Sequence, residues 1–513
     1  TFGPPEAPTN LALTALLNAE IKLDWSAPTV NNGGPITGYN IERSTNGSTW
    51  SVVINNISGL TYTDTGLTTS QVYYYKVSAV NAYGISAFSA SANAMASDVP
   101  SQVTGLTATP LTNYEIQLDW TAPNANGYSI SGYTIERSTD SGATWTVLVA
   151  DTQNTNVTYT DINLTVSQTY DYKISAINQV GTGTASTAAN AQAGSIPDVP
   201  VMTLTALPNN AIQLDWTVPT NNGFAITIYA VERSTDGINW SPLVAINANT
   251  YQDTGLTNSA TYYYKVTAVN QIGNSAFSAP VSVIAGDVPA QVTGLTATTT
   301  SNTSIDLAWT APNDNGYAIS GYMIERSTDN GVTWSTLVAD TQSLATAYSD
   351  TGLTTGTYYT YKISAINSLG TGPASATSTS HAGGVPDATV LTATPSASGQ
   401  ITLSWTVPGD NGFALSKYLV ERSTDGITYT SIASIVPSTG VTTHTDTGVV
   451  GTLYYYKVTV ENAIGFSADS NIESLNAGDV PGVVTNLAGT TQSDTQLNLT
   501  WNAATPNGYP VTG

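Results

Sequence analysis

The chain has 513 residues, 41% of them apolar and only 9% charged, with 12 Lys plus Arg against 35 Asp plus Glu for a net charge of −23. That length predicts several domains, and the apolar share is enough to build their cores. The absence of a basic cluster excludes nucleic acid and anionic lipid as partners; zero Cys excludes disulfides, thiolate metal sites and cysteine catalysis; and no run of ~18 apolar residues offers a membrane span.

The first residues, Thr1-Phe2-Gly3-Pro4-Pro5, carry neither an initiator Met nor a signal-peptide pattern, which implies a mature product or a fragment. The first strand signal is Ile21-Lys22-Leu23-Asp24-Trp25, apolar at every second residue. A Pro- and Gly-bearing loop follows, then a strand over Ile36–Ser44, then Asn46-Gly47 as a hairpin turn, then a strand over Tyr73–Val80. The linker Asp98-Val99-Pro100 closes this block and the pattern begins again. Its Trp recurs at Trp25, Trp120, Trp216, Trp309, Trp405 and Trp501. Alternation of period two, Val/Ile/Thr/Tyr enrichment and turns every ~10 residues predict all-β sandwiches, without helical periodicity.

The combination of Trp25, Pro28, Gly33-Gly34, Ile36 to Ser44, Leu67, Tyr73 to Asn81 and Gly84 resembles the fibronectin type III family. The resemblance covers five full copies and the opening of a sixth. It implies tandem seven-stranded immunoglobulin-like sandwiches in a linear array, divided at 1–97, 98–197, 198–286, 287–384, 385–478 and 479–513. The Asn/Thr-rich, Lys-poor version resembles prokaryotic, particularly archaeal, surface proteins. The family's adhesive Arg-Gly-Asp tripeptide is absent, so integrin-type binding is not carried over.

Each copy assigns roles to the same residues. The Trp is expected to plug the core. Tyr73, Tyr170, Tyr262, Tyr359 and Tyr454 resemble the tyrosine corner, whose hydroxyl bonds upstream backbone. Ten of the twelve cations are one Arg and one Lys per copy; Lys22 and Lys417 fall outside. Parity puts Glu42 and Lys76 on one outer face, repeated as Glu136–Lys173, Glu232–Lys265, Glu325–Lys362 and Glu421–Lys457. Counting back from the turns sets Arg43, Arg137, Arg233, Arg326 and Arg422 opposite Trp50, Trp145, Trp240, Trp334 and Tyr429, which predicts Arg–aromatic stacks. The competing use of those rings is as platforms for carbohydrate. His444 stands two before Asp446, where other copies have Tyr62, Tyr159, Tyr251 and Tyr348, so it replaces a structural Tyr. His381 lies alone near a linker, and no Ser-His-Asp set can be assembled.

The linkers, Asp98-Val99-Pro100, Asp198-Val199-Pro200, Asp287-Val288-Pro289, Val385-Pro386-Asp387 and Asp479-Val480-Pro481, should be semi-rigid, because Pro holds the residue before it extended. Their Asp residues raise calcium as a ligand, against the plainer role of solvated turns. Asn46, Asn56, Asn156, Asn163, Asn239, Asn302 and Asn498 are sequons that matter in a glycosylating host. Trp120 to Gly181 matches Trp309 to Gly370 at an offset of 189 without insertion, so the duplicated unit is a pair of copies. Gly513 falls just before a sixth strand C Tyr is due. This implies either a chain that continues into another Tyr-x-Ile-Glu-Arg-Ser or completion of the sixth copy by a strand from a neighbour.

Together these features predict a non-catalytic, extracellular or cell-surface stalk or filament, with adhesion as an added role and no catalytic, cofactor or metal residues. Its expected partners are its own copies or neighbouring surface proteins, and neither nucleic acid nor the membrane interior. The alternative is an accessory, glycan-binding spacer array within a longer secreted polysaccharide-degrading enzyme.

Overall fold

A computed structural model describes residues 2–396 and 399–512. The expectations that rest on Thr1 and Gly513 lie outside the described residues. The chain divides into two compact units, one of Thr1–Leu204, Leu214–Tyr251 and Tyr262–Ser282, the other of Thr205–Gln213, Gln252–Thr261 and Val283–Gly513.

In the first unit, the first sandwich shows why the repeat folds as it does. Its strands are β1 (Thr9–Leu16), β2 (Glu20–Ser26), β3 (Gly38–Ser44), β4 (Ser51–Ile57), β5 (Thr61–Asp64), β6 (Val72–Asn81), β7 (Gly84–Ile85) and β8 (Ala92–Met95). One sheet runs β1-β2-β5; the other runs β4-β3-β6-β7, with β8 also on β6. β7 and β8 share the edge of β6 as two pieces of one interrupted strand, which gives the seven-stranded antiparallel sandwich expected. Ile21, Leu23 and Trp25 of β2 and Tyr39 and Ile41 of β3 all point inward and are buried. The second sandwich repeats this core with Ile116, Leu118, Trp120, Tyr133 and Ile135.

In the second unit the same core recurs around Trp309 and Tyr322, and again around Trp405 and Tyr418. The last two strands, Thr485–Ser493 and Gln496–Asn502, form a two-stranded sheet, and Trp501 there is 56% exposed. Across the chain, the only helical segments among the described residues are two single 3-10 turns, Leu17–Ala19 and Pro437–Thr439.

Trp25, Trp120, Trp216 and Trp309 meet the strand C residues Tyr39, Tyr133, Tyr229 and Tyr322 edge-on at centroid separations of 5.0–5.6 Å, and Trp405 meets Tyr418 tilted at 5.4 Å. This geometry sets the positive ring edge against a negative ring face. The corner tyrosines behave as expected: Tyr73, Tyr170, Tyr359 and Tyr454 each accept the amide of the residue five positions upstream at 3.0–3.1 Å, from Thr68, Thr165, Thr354 and Val449 respectively. The shortened loop before Tyr454 leaves that bond intact.

Trp216 is 3% exposed. Its truncation to Ala should cost ~3–5 kcal/mol, because a buried indole leaves a cavity that the surrounding strands cannot close. Calorimetry of the full chain should then show one transition moved to lower temperature; a loss below ~1 kcal/mol would mean that the ring contributes little to the core.

Candidate functional site: charged clamps and interdomain junctions

Strand register decides what each cation does. In the first sandwich Glu42 lies opposite Lys76 and Arg43 opposite Ser51. The Glu–Lys pairs form as expected, with Nζ to Oε2 distances of 3.0, 3.3, 3.0, 3.2 and 3.4 Å in sandwiches one to five.

The expected Arg–Trp stacks do not form. Arg137 pairs with Thr146 and Arg326 with Ser335, one residue beyond Trp145 and Trp334. A one-residue slip moves a side chain to the opposite face of the sheet. The rings of Trp50, Trp145, Trp240, Trp334 and Tyr429 therefore lie on the outer face, and the cations over them are Lys76, Lys173, Lys265, Lys362 and Lys457, at 4.4–4.8 Å. In sandwiches one and three a second ring, Phe88 or Phe277, boxes the same ammonium at 3.9 or 4.3 Å.

Each Arg instead turns toward the sandwich interior. Arg43, Arg137, Arg326 and Arg422 lie 2.9 Å from the buried carboxylates of Asp64, Asp161, Asp350 and Asp446. The same carboxylates accept hydroxyl bonds from Tyr75, Tyr172, Tyr361 and Tyr456 at 2.7–2.8 Å. Burial, reinforced by the adjacent carboxylate, raises these Tyr well above the ordinary phenol range. Asp64 sits on β5 in one sheet while Arg43 and Tyr75 sit on β3 and β6 in the other, so the trio fastens the two sheets together. The guanidinium also lies over the corner Tyr, 5.2 Å away for Arg43 and Tyr73. The Tyr-x-Asp pattern of the first four copies, with His444-Thr445-Asp446 in the fifth, is the signal in the sequence that could have located the Asp.

The hairpin turn beside this clamp is held by its first polar residue. Asp140 accepts Ser138 Oγ, Thr144 Oγ1 and the Thr144 amide, and these bonds lower its pKa to about 2. Asp329 is likewise held at about 2, chiefly by Thr333. Asn46 plays the same part in the first sandwich, accepting the amides of Ser48 and Thr49.

The histidines divide. His444 lies opposite Leu403 as Tyr62 lies opposite Leu23, which places it at the structural Tyr position. His381 has a role that its isolation in the sequence concealed. Its ring stacks 4.0 Å from Phe413 and 4.6 Å from Tyr358, and its Nε2 is 3.0 Å from the Gly412 carbonyl.

The linkers are built more firmly than Pro alone would make them. In the first unit, the Asp98 amide donates to Asn126 O and the Ser195 amide to Asn222 O. The Asn side chains return the contact: Asn126 Nδ2 donates to Val99 O and Asn222 Nδ2 to Ile196 O, at 2.8 and 2.9 Å. Asn178 Nδ2, at the end of its strand, grips Asp98 O and Ala125 O together. In the second unit, Asn315 and Asn411 make the same bonds to Val288 O and Val385 O. Each of these loop Asn residues has positive φ, 50–53° at Asn126 and Asn315 and within that range at Asn222 and Asn411, and a positive-φ Gly follows. Two successive left-handed residues are what an Asn-Gly pair supplies at least cost. The linker Asp residues act as acceptors: Asp98 and Asp287 for the next amide, Asp198 and Asp387 for the loop Asn. Among the described residues no group of three or more His, Asp or Glu gathers to hold a metal ion, so calcium gains no support.

With this geometry in view, the chain belongs to the fibronectin type III family. The Fibronectin type III domain matches residues 6–95, 101–192, 198–284 and 290–381. Its relatives include Exoglucanase B of Cellulomonas fimi, 29% identical over 64% of this chain and 29% of that protein. Human Myomesin-2 is 26% identical over 72% of this chain and 28% of its own. Mouse Fibronectin type-III domain-containing protein 3A is 28% identical over 69% of this chain and 30% of its own. The chain thus spans under a third of each of these relatives.

The turn aspartates give a pH dependence with a definite sign. A carboxylate whose folded pKa is depressed stabilises the turn fully above its unfolded value of ~3.9, and that contribution fades as pH falls toward about 2. The protection of the Thr144 amide, relative to its unstructured exchange rate at the same pH, should therefore fall over this acidic window, while that of Thr49, capped by the uncharged Asn46, should hold. Identical responses at both amides would contradict the assignment.

Proposed function

We propose that this chain is a non-catalytic structural array of secreted or cell-surface fibronectin type III domains, divided at its Pro-bearing linkers, that builds a stalk or filament and adheres through its own copies or neighbouring surface proteins. The observation that carries this reading is the internal use of charge. Lys22 and Lys417 join the repeated cations in pairing with carboxylates, at 3.0 and 2.6 Å from Asp24 and Glu461. The clamp carboxylates are held between Arg and Tyr, and the candidate platform rings each have one face under a Lys. The repeated Arg, the repeated Lys and the carboxylates they pair with are committed to holding each sandwich together. No helix among the described residues is long and apolar enough to cross a membrane.

A second reading rests on the relationship to Exoglucanase B. There the array serves as a glycan-binding spacer in a longer polysaccharide-degrading enzyme. The two readings part in one pair of measurements. Electron microscopy of native material should show rods or fibres, and mixing the full chain with insoluble cellulose should leave it in solution without quenching Trp fluorescence. Retention on cellulose, or hydrolysis of it, would overturn the structural reading.

One substitution checks the clamp on which this reading leans. Arg137→Met should cost about 3 kcal/mol, because it strands the Asp161 carboxylate in the interior. Chemical denaturation of the full chain measures this; a change within ~0.5 kcal/mol would show the pair to be dispensable.

A further inference from the structure

The junctions are not all closed in the same way. In the first unit, Gln192 Nε2 donates to the Gly223 carbonyl at 2.7 Å. In the second unit, His381 Nε2 meets the Gly412 carbonyl at 3.0 Å. A carbonyl only accepts, so His381 must carry its proton on Nε2 there. Both contacts lead from an even-numbered sandwich to the loop of the next odd one, and that loop carries Phe: Phe224 or Phe413. Odd-to-even junctions reverse the polarity. The loop carries Tyr, and its hydroxyl donates back to the preceding strand: Tyr317 Oη to Ile284 O at 2.8 Å, and Tyr509 Oη to Asn476 O at 2.6 Å.

The ring needs room to reach its partner. A Cβ built on Gly286 would lie 2.6 Å from Tyr317 Cδ2, and one on Gly194 would lie 2.4 Å from Phe224 Cε2. The first junction has Ser97 in place of this Gly, so its own Cβ denies Tyr128 that position. The loop glycine lies close there as at other junctions: an added Cβ on Gly127 would lie 2.6 Å from Ser97 Cβ, and one on Gly223 would lie 3.3 Å from Gly194 Cα.

We propose that the junctions carry a two-type matching code: a side-chain N–H from the even sandwich closes onto a Phe-bearing loop, a Tyr hydroxyl from the even sandwich closes onto the odd one before it, and this code fixes which sandwich end docks with which loop. A mismatched order fails for a stated reason. A Phe loop placed after Ile284 brings no hydroxyl to the Ile284 carbonyl, and the Ile284 side chain has no N–H to offer the loop's Gly carbonyl, so neither closure forms. Gln192 and Tyr317 are half-buried at the junctions, so they can be changed without opening a sandwich's interior. The code goes beyond the structural role proposed above, because it holds whether the array is a stalk or an enzyme's spacer.

The test is hydrogen exchange on the full chain, followed by mass spectrometry of the linker peptides. Gln192→Leu should speed exchange of the Ser195 amide, and Tyr317→Phe that of the Asp287 amide, each about 5-fold, as expected for one lost hydrogen bond. Gln192→His should restore slow exchange, because His381 performs the same closure in the second unit. Gly286→Ser should reproduce Tyr317→Phe by expelling the ring. Thermal transitions of all four variants should match the parent. Unchanged exchange in both Gln192→Leu and Tyr317→Phe, or fast exchange in Gln192→His, would overturn the code. Acceleration spread over a whole sandwich would also overturn it, since the effect would then be one of global stability.

Discussion

A buried carboxylate is the constraint around which each sandwich is organised. Asp64 is 4% exposed and carries its charge into a space between two sheets. A lone charge there would be prohibitively costly, so the fold must deliver partners to it. Arg43 and Tyr75 come from neighbouring strands of the opposite sheet, and both bonds end on the same Oδ2. To bring them together, β3 and β6 must pair in one register only, because any slip by one residue would carry Arg43 outward and leave the carboxylate stranded. The same register puts Glu42 against Lys76 on the outside. The clamp thus sets the outer pair and the hairpin geometry, and it ties sheet to sheet in a protein that has no disulfide to do so. Replacing all three members of such a buried trio with apolar groups of matching shape is commonly neutral or stabilising. What the trio supplies is a penalty on every wrong register.

The distribution of charge follows from this economy. Each copy uses its Arg inward and its Lys outward, and the aromatic ring that was expected over the Arg lies under the Lys ammonium instead. The ammonium keeps its carboxylate partner while it also rests on the ring face. With the cations committed to specific partners, the remaining carboxylates set the long-range field. A strongly negative net charge discourages adhesion to other polyanions and makes contact between copies depend on salt, which screens their repulsion.

Much of the sandwich was legible because its signals are periodic and local. Trp at the end of a strand follows from period-two parity and recurrence at fixed spacing; the corner role of the Tyr, and the strand adjacency that pairs Glu with Lys, follow from the family resemblance. The Arg partner was not legible from the turn. Counting residues back from Asn46-Gly47 assumed a tight two-residue loop, whereas Ser44 Oγ captures the Gly47 amide and Asn46 captures Ser48 and Thr49, which widens the turn by one register step. Parity then inverted the answer for Arg and Lys together. The role of His381 was hidden for a different reason: its partners, Phe413 and the Gly412 carbonyl, belong to the next copy and lie over thirty residues away. A sequence read one domain at a time does not bring such residues together, whereas the comparison of Gln192 with His381 across the paired repeat does.

That comparison also explains why the duplicated unit is two sandwiches rather than one. A junction has two sides, contributed by different copies, and its hydrogen bonds need a donor on one side and an acceptor on the other. If every copy were identical, each would have to carry both halves of a single closure, and any copy could follow any other. Alternating copies can divide the task, with Phe loops meeting side-chain N–H donors and Tyr loops meeting bare carbonyls. Duplication of a single copy would create a mismatched junction at its new boundary; duplication of a pair preserves every junction. On the matching code proposed above, the 189-residue period follows from hydrogen-bond polarity at the linkers; the first junction, with Ser97 in place of the glycine, keeps the Asn126 and Asn178 bonds to its linker.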